Sequence, residues 1–232
     1  MVLAAYTVYG LTGFGSTVLS LPVLVLVLPL KLAVPMLMLL DLCAFFVLGA
    51  SFRRRVEFRE IGWLLPFMLA GMALGLTLLI RVPEHFLLGV LGAFLLAYAG
   101  YGLYRRGTPA ALSRAWCVPI GFFGGAFSAL FGTGGVLFAL YNAGRARSKE
   151  ALRANNAAMI MVSSLVRVVI FTAAGLLAQE GLLAFAALLV PPLLGGLWLG
   201  NRLHAAVPAA AVVKAVYALL VIAGLTLLAR SL

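Results

Sequence analysis

Charge is scarce in this chain, and acid is scarcer still. Of 232 residues only 10% are charged, and only six are Asp or Glu. A soluble domain of this size needs far more polar surface to cover itself. No hydrophilic block is long enough to make a separate soluble domain. Cysteine is down to two residues, Cys43 and Cys117, both inside apolar segments. That excludes a disulfide framework and leaves two small buried hydrophobes rather than a metal site. Of the two histidines, His85 and His204 both lie at the ends of apolar runs, where an interfacial role suffices. The pattern GxxxxGK[ST] does not occur, so no ATP-binding loop of that kind is present. The N-terminus has neither a basic region nor a small-residue cleavage site, and no removable signal peptide is expected.

What is present is apolar. Hydrophobic residues make up 65% of the chain. Apolar runs recur at roughly 1–30, 33–52, 61–80, 85–104, 115–143, 154–178, 181–201 and 209–229. This predicts an all-α, polytopic protein of the cell (inner or plasma) membrane. The net charge is +11, and the basic residues gather in short loops between the runs. That is the positive-inside pattern. Anionic membrane lipid is then a natural neighbour, and the basicity does not call for nucleic acid.

Two runs are too long for one crossing. A helix of about 29 residues extends about 43 Å, against a hydrocarbon core of about 30 Å. Both long runs carry glycine clusters, GLTGFGSTVLSLP at 10–22 and FGTGG at 131–135. Each is expected to be two shorter helices that enter and leave on one side, the second starting near Ser16 and near Gly135.

The charges support this. If all eight runs cross once, Lys and Arg divide eight and eight between the sides, with Arg167 left in the membrane. If 115–143 is a re-entrant hairpin, the loops at 53–59, 105–114 and 145–153 share a side with Arg202 and Lys214. The division becomes thirteen to three, with only Lys31, Arg81 and Arg230 opposite.

The chain also repeats itself. At an offset of 119, Gly13 and Gly15 fall on Gly132 and Gly134. At an offset of 125, Pro66, Gly71, Gly75 and Pro83 fall on Pro191, Gly196, Gly200 and Pro208. Two halves are expected, about 1–106 and 112–232, together one transmembrane domain. Each would be a broken hairpin plus three crossing helices. An odd number of crossings inverts the second half, which is the plan of many secondary transporters.

A broken helix in a membrane must have its free backbone groups satisfied by protein, water or ligand. A helix N-terminus offers unpaired N–H groups and about half a positive charge, a ready anion site. Gly13, Phe14, Gly15, Ser16 and Thr17 form one candidate break. Gly132, Thr133, Gly134 and Gly135 form the other. Arg167 lies about 21 Å along its helix from Arg153, deep in an apolar run. Asn156, Ser163 and Arg167 are spaced seven and four apart and share one helix face. Arg167 either binds a substrate anion or pairs with Asp41, the other mid-run charge; the two can coexist. Asp41 is expected to balance, gate or carry a coupling proton. Tyr141 is the polar aromatic of interest, since it aligns with Pro22 in the repeat. A serine enzyme built on Ser16 would need a base within reach, and both histidines map to helix ends.

At these residues the chain resembles the sulfite exporter TauE/SafE family, also called the 4-toluene sulfonate uptake permease family. The matching stretches are residues 10–22, LLDL at 39–42 with the RRR loop after it, FGTGG at 131–135, KEALRANN at 149–156 with Arg167 and Gly175, and GGLWLGNRL at 195–203. Many members have a proline where Val136 stands. The resemblance implies a permease or exporter for sulfur-containing anions such as sulfite or organosulfonates. The expected partners are a small anionic substrate, membrane lipid and protons, with no cofactor and no metal. The alternative is a channel for small oxyanions.

Overall fold

A long apolar segment away from water satisfies its own backbone N–H and C=O groups by coiling into a helix. The computed structural model describes residues 1–12, 15–48, 56–104, 112–145, 149–203 and 209–231. The described residues form α1 (Val2–Thr12), α2 (Ser16–Leu24), α3 (Leu30–Leu48), α4 (Phe58–Arg81), α5 (Glu84–Tyr104), α6 (Cys117–Phe131), α7 (Gly135–Ala143), α8 (Lys149–Ala173), α9 (Leu182–Leu203) and α10 (Ala209–Ser231), with two short 3₁₀ turns. Among the described residues six stretches are long and apolar enough to cross a membrane, one in each of α3, α4, α5, α8 and α9 and one at Arg114–Phe131.

Neither overlong run is a single helix. α6 closes at Gly132, whose φ of 70° lets its N–H reach back to the Ser128 carbonyl at 2.9 Å. This left-handed cap is one that glycine adopts without penalty. α7 then doubles back, with Gly134 against the Gly124 carbonyl and the Phe138 ring over Gly124. The ends of the run meet, since the Leu112 N–H donates to the Gly144 carbonyl at 3.1 Å. In the first run, α1 stops at Thr12, and α2 starts at Ser16 after Gly15, whose φ is 98°. Met1 and Ala5 of α1 border one cleft with Pro22 and Val23 of α2, so the start of α1 lies beside the end of α2.

Three long pairings hold the helices together: α1 along α9, α4 along α6 and α5 along α10. Gly71 and Gly75 of α4 lie so close to the Phe122 and Ala126 carbonyls that a Cβ on either would overlap them. Gly196 and Gly200 of α9 lie in the same way against the carbonyls of Leu3 and Thr7. Phe122 and Ala126 stand 119 residues after Leu3 and Thr7; Gly196 and Gly200 stand 125 after Gly71 and Gly75. One close contact is thus made twice, at the two offsets of the internal repeat.

The bundle has two distinct ends. At one, Glu57 and Asn155 join the starts of α4 and α8, and Glu60 binds Arg114 and Arg145. At the other, Glu84 caps the Leu30 N–H at 2.8 Å, Lys31 reaches the Ile80 carbonyl, and Arg230 reaches the Leu26 carbonyl. α3 is the central helix: Ala33, Val34, Met36, Leu37, Met38 and Leu40 are all buried. Anything polar on α3 therefore has to find its partners inside the protein.

Candidate functional site

Beyond Lys31 at its first turn, the charged residue on α3 is Asp41, and it is buried. Its partners are three hydroxyls. Tyr6 and Ser16 donate to Oδ1 at 2.9 and 2.7 Å, and Thr17 donates to Oδ2 at 2.6 Å. Ser16 and Thr17 open α2, so the first break is fastened to the central helix through this carboxylate.

Arg167 of α8 is 1% exposed. One of its nitrogens, NH2, donates to Ser164 Oγ at 3.1 Å. Nε and NH1 are buried with no hydrogen-bond partner. An ionised group left with open donors in an apolar interior costs several kcal/mol. The ion pair with Asp41, one of the two alternatives for Arg167, is not made: NH2 goes to Ser164 and the other two nitrogens have no hydrogen-bond partner. The physical reason is what stands between them. The Thr17 hydroxyl faces Asp41, and its methyl abuts Gly132. A Cβ built on Gly132 would sit 2.6 Å from Thr17 Cγ2 and 3.1 Å from Arg167 NH1.

The two breaks therefore meet. Between them lies a small pocket of about 20 Å³, lined by Gly15, Ser16 and Thr17 from one break, Gly132, Thr133 and Gly135 from the other, and Asp41. That volume has room for about one water molecule. The Thr133 hydroxyl is 1% exposed and has no partner. The unpaired Thr133 hydroxyl in its lining and the unpaired Arg167 N–H groups behind Gly132 suit an anion better than a cation.

The remaining candidates divide. Ser163 is buried and shares a short hydrogen bond with Ser128, whose carbonyl holds the Gly132 cap. It braces the second break. Gly134 shapes that break by packing on Gly124. Asn156 accepts from Asn142 at 2.7 Å, in the last turn of α7. It shares a helix face with Arg167 but lies about 16 Å along the axis from it, and it does not line the cavity. Gly13 and Phe14 lie outside the described residues. Tyr141 donates to Glu60 at 2.9 Å, at the base of the second hairpin rather than at the cavity. Sequence reasoning missed Tyr6. A lone tyrosine in an apolar helix carries no pattern, and only the approach of α1 to α3 reveals its role. Ser16 has Asp41 and not histidine beside it, and His85 packs on Phe86 at the start of α5.

A helical membrane bundle with interrupted helices around a charged, enclosed centre is the architecture of a transporter. The chain matches the family described as Sulfite exporter TauE/SafE over residues 1–227, and it belongs to that family. It is also similar to the "Probable inner membrane transporter protein TsaS" of Comamonas testosteroni, with 27% identity over 194 residues, 83% of this chain and 81% of the relative. No solved structure matches it. The chain is a multi-pass transporter of the cell membrane and not an enzyme.

Proposed function

We propose that the protein is a secondary transporter that moves a small sulfur-containing oxyanion, of the sulfite or sulfonate kind, by alternating access. The observation that carries this reading is the meeting of two helix breaks at one small pocket, with an unpartnered Thr133 hydroxyl in its lining and unpartnered Arg167 nitrogens behind Gly132. The cavity is too small for an oxyanion as it stands. An anion enters when the breaks part, and closure around it leaves neither side open. Substrate contacts are assigned to Arg167, Thr133 and the break residues Gly15, Ser16, Thr17, Gly132 and Gly135. Ser163 and Gly134 support them, and Asp41 gates.

Two inverted halves, about 1–106 and 112–232, make this movement possible. The glycine contact made twice at the repeat offsets supports them. So does the exchange of pairings, since α1 with α9 and α6 with α4 are the same pairing with the halves swapped. The sulfur-anion class rests on the family's description and on the resemblance of the motifs. Localisation of the three basic loops to one side, with both hairpins re-entrant, is part of the same reading.

Uptake of labelled sulfite and of methanesulfonate into proteoliposomes tests it. A carrier gives saturable flux that is accelerated by unlabelled anion on the far side. Flux linear in concentration, without that acceleration, would replace the carrier with a channel.

A further inference from the structure

Asp41 and Arg167 are the only charged side chains that are buried among the described residues. They are not paired: Asp41 lines the space where the breaks meet, and Arg167 lies behind Gly132, which lines it too. Their charges therefore decide what the closed site can hold. In an apolar interior the sum of protein and ligand charge must stay near zero, because an uncompensated charge costs several kcal/mol or more. With Asp41 ionised, the empty site already sums to zero. A monoanion added to it leaves one negative charge over. That charge disappears if Asp41 takes a proton. A dianion would leave a further charge with no described group to meet it.

The partners of Asp41 suit both states. An arginine or lysine against the carboxylate would hold it ionised. Three hydroxyls can serve either form, because each can donate or accept by rotating. With Asp41 ionised, Tyr6, Ser16 and Thr17 all donate to it, as observed. Once protonated, Asp41 donates one hydrogen bond itself, and at least one hydroxyl must turn to accept it. Ser16 and Thr17 also line the cavity. A hydroxyl hydrogen released from Asp41 can thus turn toward an anion there. The charged and titratable groups facing Asp41 are Tyr6 from α1 and Arg167 from α8, with the hydroxyls of Ser16 and Thr17 from α2.

We propose that the site carries a singly charged oxyanion together with one proton, the proton on Asp41 and the anion on Arg167 and Thr133. The inference rests on the transport reading above. It adds the charge class of the substrate and the stoichiometry. Loaded and empty sites are both neutral, so the cycle moves no net charge. The proton taken from one aqueous side is released on the other, with the anion.

The test uses wild-type proteoliposomes with methanesulfonate, a monoanion throughout the neutral range, and with sulfite. Valinomycin and potassium set the membrane potential independently of pH. The expected result is uphill accumulation driven by a pH gradient, approaching about tenfold per pH unit at one proton per anion, and unchanged by the potential. Asp41→Asn should lose the pH-driven accumulation, and whatever net flux remains should follow the potential. If that variant does not fold, the wild-type measurement decides alone. Saturable flux that follows the potential and ignores the pH gradient overturns the proposal and leaves the transport reading intact. No saturable flux of either anion overturns the transport reading, and this proposal with it.

Discussion

The two hairpins around the cavity are built alike and fastened differently. The second, α6 and α7, is tied at its base. Glu60 accepts from Arg145 Nε at 2.8 Å and NH2 at 2.9 Å, and from Tyr141. Arg145 also reaches the Leu112 carbonyl, and the bonds to Glu60 push its guanidinium above its ordinary range, so it stays charged at any working pH. α6 packs along α4 at glycine contact distance, as α1 packs along α9. The first hairpin, α1 and α2, is flanked by apolar clefts of about 460 and 290 Å³, against α9 and α10 respectively. Its firm polar attachment is at the tip, where Ser16 and Thr17 hold Asp41. One hairpin is anchored at the base and offers free donors at its tip. The other is anchored at the tip to the group proposed to take the proton. This division suggests that the second hairpin is the fixed wall of the site and the first is the part that responds.

The largest effect expected from breaking this arrangement is at Arg167. Arg167→Gln removes the fixed positive charge behind Gly132. Anion affinity should fall at least a hundredfold, about 3 kcal/mol, as for the loss of a buried charge-assisted contact. In the empty protein two effects oppose each other, the relief of open donors and the loss of the charge that balances Asp41, so the thermal midpoint should move little. Isothermal titration and a thermal scan of the same preparation check both halves. A variant that fails to fold would instead make Arg167 a structural residue.

Next come the two glycines that turn the chain at the breaks. Both have positive φ, which strains any other residue by about 1–2 kcal/mol. A Cβ at Gly132 also overlaps Thr17 and crowds Arg167, whereas one at Gly15 meets nothing within 4 Å. Gly132→Ala should therefore lower the exchange rate at least tenfold, and Gly15→Ala only a few-fold. Equal losses would remove the distinction between the tips.

These glycines also mark what the sequence could reveal. Run length and glycine content located both interruptions, and α2 and α7 start at Ser16 and Gly135. Those are local signals, carried within about a dozen residues. The partners of Asp41 were not legible. The nearest opposite charge in a similar run was Arg167, yet the helix faces bring Tyr6, Ser16 and Thr17 to it instead. Asn156 shares a face with Arg167, but eleven residues of helix set it about 16 Å away along the axis, beyond the cavity. The Glu60 cluster joins three segments separated by long apolar runs, and no short-range pattern announces it.

Glu60→Gln tests the anchored base. The cluster is mostly shielded, with side-chain exposures of 13% for Glu60 and 23% for Arg145. Losing the bidentate pair should cost about 2 kcal/mol. The thermal midpoint should fall while anion affinity stays within about twofold. An affinity loss as large as the stability loss would mean that the base and the tip are not separate devices.

The smallest effect is the most specific. The Thr133 hydroxyl is buried without a partner, and it borders the cavity. Thr133→Val keeps the shape and removes the unsatisfied group. In the empty protein nothing is lost and a desolvation cost is relieved, so stability should rise by up to about 1 kcal/mol. With anion bound a hydrogen bond is missing, and affinity should fall about fivefold, again about 1 kcal/mol. Opposite signs from one substitution are hard to obtain from a packing defect, which weakens both. Thermal scans with and without methanesulfonate read the two signs in one experiment. If both fall together, Thr133 is a packing residue and the fixed wall presents its anion contacts elsewhere.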